Sequence, residues 1–147
     1  MSLSQIFDIA GSGMAAQSLR LNTTASNIAN ADSASSSTDE VYRARKPVFS
    51  AVHQNALQQA IGGDSMSAQS GSLGVQVKGV IESDAPLDMR FQPDHPLADE
   101  RGYVMYPNVN VVEEMADMMS ASRSFQTNVD VMDAAKTMMQ RLLTLGQ

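Results

Sequence analysis

Asn110-Val111-Val112-Glu113-Glu114-Met115-Ala116-Asp117-Met118-Met119-Ser120-Ala121-Ser122-Arg123-Ser124-Phe125 opens a helical pattern that continues to Leu145. Val111, Met115, Met118, Ser122, Phe125, Val129, Met132, Lys136, Met139 and Leu143 recur at alternating steps of four and three, the spacing of a seam that faces a partner helix. Asn110, with Glu113 three residues on, has the form of a capping box, although Asn is less usual there than Ser or Thr. Glu113, Glu114 and Asp117 lie near the N-terminus and Arg141 near the C-terminus, where the helix dipole favours each sign, and Gly146 is a stop signal. At a rise of 1.5 Å per residue such a helix is about 50 Å long, more than a compact domain of this size covers.

A second long helix is expected at the other end of the chain. Ser2 and Gln5 have capping-box spacing, and Leu3, Phe7, Ala10, Met14, Gln17, Leu21, Thr24 and Ile28 repeat the steps of four and three. Gln17 and Thr24 are polar defects in this stripe. Gly11 and Gly13 weaken the helix intrinsically, so it depends on packing against something else. The pattern runs out near Asn30.

Between the helices the composition changes. Residues 32–39 are rich in Ser and Asp and read as a loop. Val41 to Phe49 reads as extended or irregular because Pro47 biases Lys46 away from helix. A short helical turn is expected around Val52 to Ile61, and Gly62 to Gly74 forms a second linker to which no role is assigned. From Val75 to Tyr106 the period falls to two. Val75, Val77 and Ile81 share one face, Leu87, Met89 and Phe91 alternate with polar neighbours, and Tyr103 to Tyr106 is a third extended run, punctuated by Pro86, Pro93, Pro96 and Pro107.

The expected fold is therefore mainly α with a small β module: long N- and C-terminal helices packing in a coiled-coil-like rod, with a central antiparallel β segment. Its parts are an N-terminal helix in 1–31, a loop and irregular linker region in 32–74, the β module in 75–107 and a C-terminal helix in 108–147. Each helical stripe either seals an internal hairpin or waits for other subunits, and the pattern alone leaves both open.

Composition narrows the function. The chain has 147 residues, room for one modest core and not for a large multidomain enzyme. Aromatic residues make up 5% with no Trp, while there are 11 Met, whose flexible thioethers suit irregular partner surfaces as well as cores. A net charge of -6, with only Arg43, Arg45 and Lys46 clustered, argues against general nucleic-acid binding. Cysteine is absent, which removes disulfides, thiolate nucleophiles and sulfur-ligated metals and leaves the redox compartment open. No apolar run reaches the roughly 20 residues that span a bilayer, and the first twenty positions lack the form of a secretory signal.

The chemistry-bearing residues are few. Asp94, His95, Asp99 and Glu100 are the strongest acid-base or metal-ligand candidates, but Pro93 and Pro96 mark a turn and no second His-rich segment supplies further ligands. No Ser sits in a G-x-S-x-G elbow. Gly11-Ser12-Gly13 lies inside a helical pattern without a following Lys, so close helix packing explains it better than phosphate binding. Neither helix has the basic face or Trp anchors of a membrane-surface helix.

Ala25-Ser26-Asn27-Ile28-Ala29-Asn30, followed after a loop by Tyr42-Arg43, resembles the N-terminal motif of the flagellar rod and hook axial proteins. Asn110 to Met115 and Ala121 to Asn128 resemble their C-terminal motif. Tyr42 to Phe49, Pro93 to Asp99, Gly102-Tyr103-Val104 and Pro107 to Asn110 look like the proximal-rod branch of that family. The short chain fits this branch, since hook and distal-rod relatives carry larger central domains. One departure is the Ser-rich loop that stands where the general motif has a Thr-x-Gly-Tyr turn.

The resemblance implies a structural subunit with no enzymatic activity and no cofactor, polymerising through its terminal helices and passing torque from motor to hook. It implies a place in the basal-body rod crossing the periplasm, and export without a cleaved signal peptide. The implied partners are rod proteins of the FlgB, FlgF, FlgG and FliE types, copies of the chain itself and the flagellar type III export apparatus, with no nucleic acid and no membrane insertion. Leu21, Ile28, Met115, Met118, Phe125, Val129, Met132 and Met139 are the expected packing residues of the assembly interface. Asn27 and Asn30 are expected to cap or cross-link backbone where the first helix ends, and Arg123 to pair with an acidic neighbour. For each the alternative is a role within the chain. The rival for the whole is a soluble helical adaptor or secretion chaperone, and behind it a small metal-dependent hydrolase using Asp94, His95, Asp99 and Glu100.

Overall fold

The Asn110 side chain starts the C-terminal helix as a cap: its Oδ1 accepts from the Val112 N–H at 3.1 Å and the Glu113 N–H at 3.5 Å, while its carbonyl accepts from Glu114 at 3.0 Å. A computed structural model describes residues 3–35, 40–53 and 72–145. In chain order the elements are α1 (Leu3–Ala29), β1 (Arg45–His53), β2 (Ser72–Glu82), β3 (Asp88–Phe91), β4 (Tyr103–Tyr106) and α2 (Val111–Leu145). Two long terminal helices with a small antiparallel sheet module between them in sequence are thus present as expected.

Ser2 and Gly146, the outer helix signals, lie outside the described residues. So do 54–61, the larger part of the helical turn expected around Val52 to Ile61; Val52 and His53 belong to strand β1 instead. Residues 62–71 of the Gly62 to Gly74 linker are outside them as well, and the remaining three open β2.

The chain divides into two compact units, one from 1–19, 48–79 and 122–147, the other from 20–47 and 80–121. The first has a core of small side chains, with Ala10 and Ala16 of α1 and Ala135 of α2 buried. A Cβ at Gly13 would stand 2.9 Å from the Asn128 Nδ2, so the missing side chain makes room for that amide, whereas at Gly11 nothing lies within 4 Å. Close packing accounts for the second glycine of the Gly11-Ser12-Gly13 run and not for the first.

In the second unit β3 and β4 form an antiparallel pair with Asp88 opposite Tyr106, Met89 opposite Met105, Arg90 opposite Val104 and Phe91 opposite Tyr103. Val104 is 0% exposed and, with Ala31, Val41, Ala44, Tyr106 and Ala121, makes the core. The Ser35 N–H adds to the β4 edge by donating to the Met105 carbonyl at 3.2 Å. Arg20 and Asp117 join α1 to α2 at 2.6 Å, a half-exposed pair of modest worth.

The packing face of α2 differs from the expected stripe by one residue. Its buried positions are Glu114, Ala121 and Ala135, each one place before Met115, Ser122 and Lys136, and Met115 and Met139 are exposed. Met118, Phe125, Val129 and Met132 are half-buried on the flank of this face. In α1 the same displacement occurs, with Ala16, Thr23 and Asn27 buried one place before Gln17, Thr24 and Ile28, although Ala10 and Thr24 of the expected stripe are buried too. Ala16, Ala121 and Ala135 are small enough for close helix packing, while Thr23, Asn27 and Glu114 are polar residues buried in the same helices.

The loop between β3 and β4 is where the acid-base candidates fall, and it is a turn. Asp99 Oδ1 accepts from the Arg101 and Tyr103 N–H groups at 2.9 and 2.8 Å, and His95 Nδ1 accepts from the Leu97 N–H at 3.1 Å. Gly102 closes the loop at φ +81°, and a Cβ there would lie 3.0 Å from the Phe91 ring edge. Gly102→Ala is expected to destabilise the chain by about 1 to 2 kcal/mol, from left-handed backbone strain and the displaced ring, read as a lower urea midpoint with unchanged slope.

Candidate assembly interface

Where α1 ends, the backbone must find hydrogen-bond partners outside the helix. Asn30 supplies some, its N–H donating to the Ser26 carbonyl at 3.1 Å and its Nδ2 to the same carbonyl at 2.8 Å. One turn earlier Asn27 reaches across to the entry of β1. Its Oδ1 accepts from the Arg45 N–H at 2.9 Å and from the Tyr42 hydroxyl at 2.8 Å, and its Nδ2 donates to the Arg45 carbonyl at 2.8 Å. The side-chain amide thus pairs with Arg45 as a neighbouring strand would. Tyr42 is set by this contact and by Ser26 Oγ at 3.2 Å, and the Arg45 guanidinium lies over its ring, 5.3 Å from the centroid.

A second asparagine does the same from the other side. Asn108 Oδ1 accepts from the Ala44 N–H at 2.8 Å, and its Nδ2 donates to the Ser83 and Ala85 carbonyls at 3.2 and 2.9 Å. The Ser83 N–H donates to the Ala44 carbonyl at 2.8 Å, and Arg45 bonds Glu82 Oε1 through Nε at 3.2 Å and Nη2 at 3.0 Å. Two buried or half-buried amides therefore clasp the Ala44-Arg45 backbone, which carries its donors and acceptors away from water. The pattern readings gave Asn108 no role, and no periodicity marks it; only its place in the Pro107-Asn108-Val109-Asn110 run drew notice.

Asn27 is 1% exposed, its side-chain amide taken up by the Arg45 backbone and the Tyr42 hydroxyl. Leu21, Ile28 and Asn30 are half-buried in the same unit, as is Met118, while Met115 is 51% exposed. Val112 and Met119, three before and four after Met115, are exposed by 76% and 61%, so one side of this first part of α2 presents three apolar side chains to solvent. The inward position between them is Glu114, and Ala121 follows seven residues on.

In the other unit Phe125, Val129 and Met132 are half-buried and Met139 is exposed, beside the exposed Val131, Met138, Leu142 and Leu143. Arg123 is exposed and makes no ion pair among the described residues; its carbonyl accepts from the Thr127 hydroxyl at 3.0 Å. Among the described residues no cluster of three His, Asp or Glu side chains is placed to hold a metal, and no helix is long and apolar enough to cross a membrane.

Residues 7–34 match the family described as flagella basal body rod protein, and residues 100–145 match the one described as flagellar basal body rod FlgEFG protein C-terminal. Over its whole length the chain is 50% identical to the whole of the flagellar basal-body rod protein FlgC of Salmonella typhimurium. It is 50% identical to the FlgC protein of Escherichia coli O157:H7 and 46% identical to that of Yersinia enterocolitica, again with both chains fully covered.

Proposed function

Because this chain belongs to the FlgC-type flagellar basal-body rod proteins, we propose that it is a structural subunit of the rod, assembling with other rod components and with copies of itself. The observation that carries this reading is end-to-end identity of 50% with a rod protein of the same length class. A structural role agrees with the turn at Asp94 to Glu100, where His95 and Asp99 accept hydrogen bonds from backbone N–H groups. The relatives give no support to a soluble adaptor or chaperone.

Assembly runs through the terminal helices. The contact between Gly13 and Asn128 in one unit and the ion pair between Arg20 and Asp117 in the other support packing of α1 on α2 within each unit, with a coiled-coil-like character. That leaves Val112, Met115 and Met119, and farther along Met139 with Met138 and Leu142, to meet helices of neighbouring subunits. Leu21, Ile28, Met118, Phe125, Val129 and Met132, half-enclosed in their own units, flank these surfaces, and Arg123 is free to pair with an acidic group of a neighbour. The division that goes with this is two terminal segments, 1–31 and 108–147, forming the rod core, with 32–74 and 75–107 carried between them.

The finer reading follows the family. The rod crosses the periplasm and passes torque to the hook, the chain arrives through the type III apparatus without a cleaved signal, and its neighbours are of the FlgB, FlgF, FlgG and FliE types. Cells deleted for the chain are expected not to swim, and its return in trans to restore swimming and place it in purified basal bodies. Swimming deletion cells, or basal bodies complete without the chain, would end the reading.

A further inference from the structure

In the unit of residues 1–19, 48–79 and 122–147, α1 and β2 meet at a point that the rod reading leaves unused. Gly74, near the start of β2, is buried with φ +133°, a backbone conformation L side chains rarely adopt. A Cβ there would overlap the Ser12 Oγ, stand 3.2 Å from the Ser12 Cβ and lie 3.7 Å from the Ile9 Cα. The glycine thus lets the strand backbone come against the helix.

Ser12 answers that approach chemically. Its hydroxyl donates to the Ile9 carbonyl at 2.8 Å, one turn back in its own helix, and accepts from the Val75 N–H at 3.1 Å. The first bond fixes the rotamer, and the fixed rotamer aims a lone pair at the strand. Farther along, β2 pairs with β1 in a two-stranded sheet, and a Cβ at Gly79 would meet nothing within 4 Å.

We propose that Ser12 and Gly74 form a latch that fastens β2 to α1, and that this part of β2 is released from the helix when the latch is broken while the helices stay packed. It is a conformational device built from a serine inside a helix and a glycine inside a strand. The inference rests on these contacts and not on membership of the rod.

Backbone hydrogen exchange on the full chain tests it. Ser12→Ala removes the acceptor, and exchange at the Val75 amide is expected to rise about tenfold, the loss of one ordinary hydrogen bond, with the Ala16 and Ala135 amides unchanged. Gly74→Ala forces a side chain onto Ser12 and is expected to release Val75 at least as far. Unchanged exchange at Val75 in Ser12→Ala overturns the latch, and so does loss of protection throughout α1 and α2, which would make the contact part of the fold and not a separable fastening. Neither readout depends on whether the chain enters basal bodies, so failure of the latch is distinct from failure of the rod reading.

Discussion

Asn27→Ala is expected to lower the stability of the folded chain by about 3 kcal/mol. The side chain is 1% exposed and makes three hydrogen bonds, two of them to the Arg45 backbone. Truncation leaves the Arg45 N–H and carbonyl and the Tyr42 hydroxyl without that partner, and an unmade buried bond costs more than a made one contributes. Asn27→Asp is the sharper test. It keeps the acceptor for Arg45 N–H and Tyr42 but sets a carboxylate oxygen against the Arg45 carbonyl, so it is expected to destabilise comparably despite nearly identical shape. Urea unfolding followed by circular dichroism measures both. Wild-type midpoints for either variant would mean that the clasp is satisfied in some other way.

Asn27 also shows what was legible before the structure. The Ser26-Asn27 to Tyr42 spacing marks a motif, and motif plus helix end suggested a backbone cross-link, because an amide carries a donor and an acceptor on one short stem. The partner was not legible: that Asn27 meets Arg45, 18 residues on, depends on how the loop after α1 returns, and loop geometry has no periodic signature. Asn108 is the same case without the motif. Helix extents were readable because caps and periodicity are local properties, as the Asn110 cap shows. Periodicity leaves open whether a stripe seals the chain's own packing or waits for other subunits; Ala10 and Thr24 of the α1 stripe are buried within the chain, whereas in α2 the buried positions fall one place before Met115, Ser122 and Lys136. Met115 is more apolar than Glu114, yet Glu114 is buried and Met115 is not, in a helix whose inward side also carries Ala121 and Ala135. Pro47 argues against a central strand, so the sequence alone marks Val41 to Phe49 as extended or irregular; β1 pairs with β2 in a two-stranded sheet, where every strand is an edge and proline is tolerated.

That displacement decides where assembly is best attacked. Phe125 and Met132 are half-buried in their own unit, so aspartate at either would damage the subunit and the assembly together. Met115 and Met119 stand one turn apart on the exposed side of α2, and aspartate there replaces side chains that the chain's own core does not use. The helix loses roughly 0.5 kcal/mol of intrinsic propensity at each site, partly offset by negative charge near its N-terminus. The isolated double variant is therefore expected to unfold within about 1 kcal/mol of wild type. In the rod the same two carboxylates would be pressed against a neighbouring helix, and removing unpaired charges from water costs several kcal/mol each. The expected result for Met115→Asp with Met119→Asp is loss of swimming and of the chain from basal bodies, with normal expression and near-normal stability. Swimming at wild-type rates would show that this side of α2 faces solvent in the rod, and the interface would then have to lie along the exposed side chains from Val131 to Leu143.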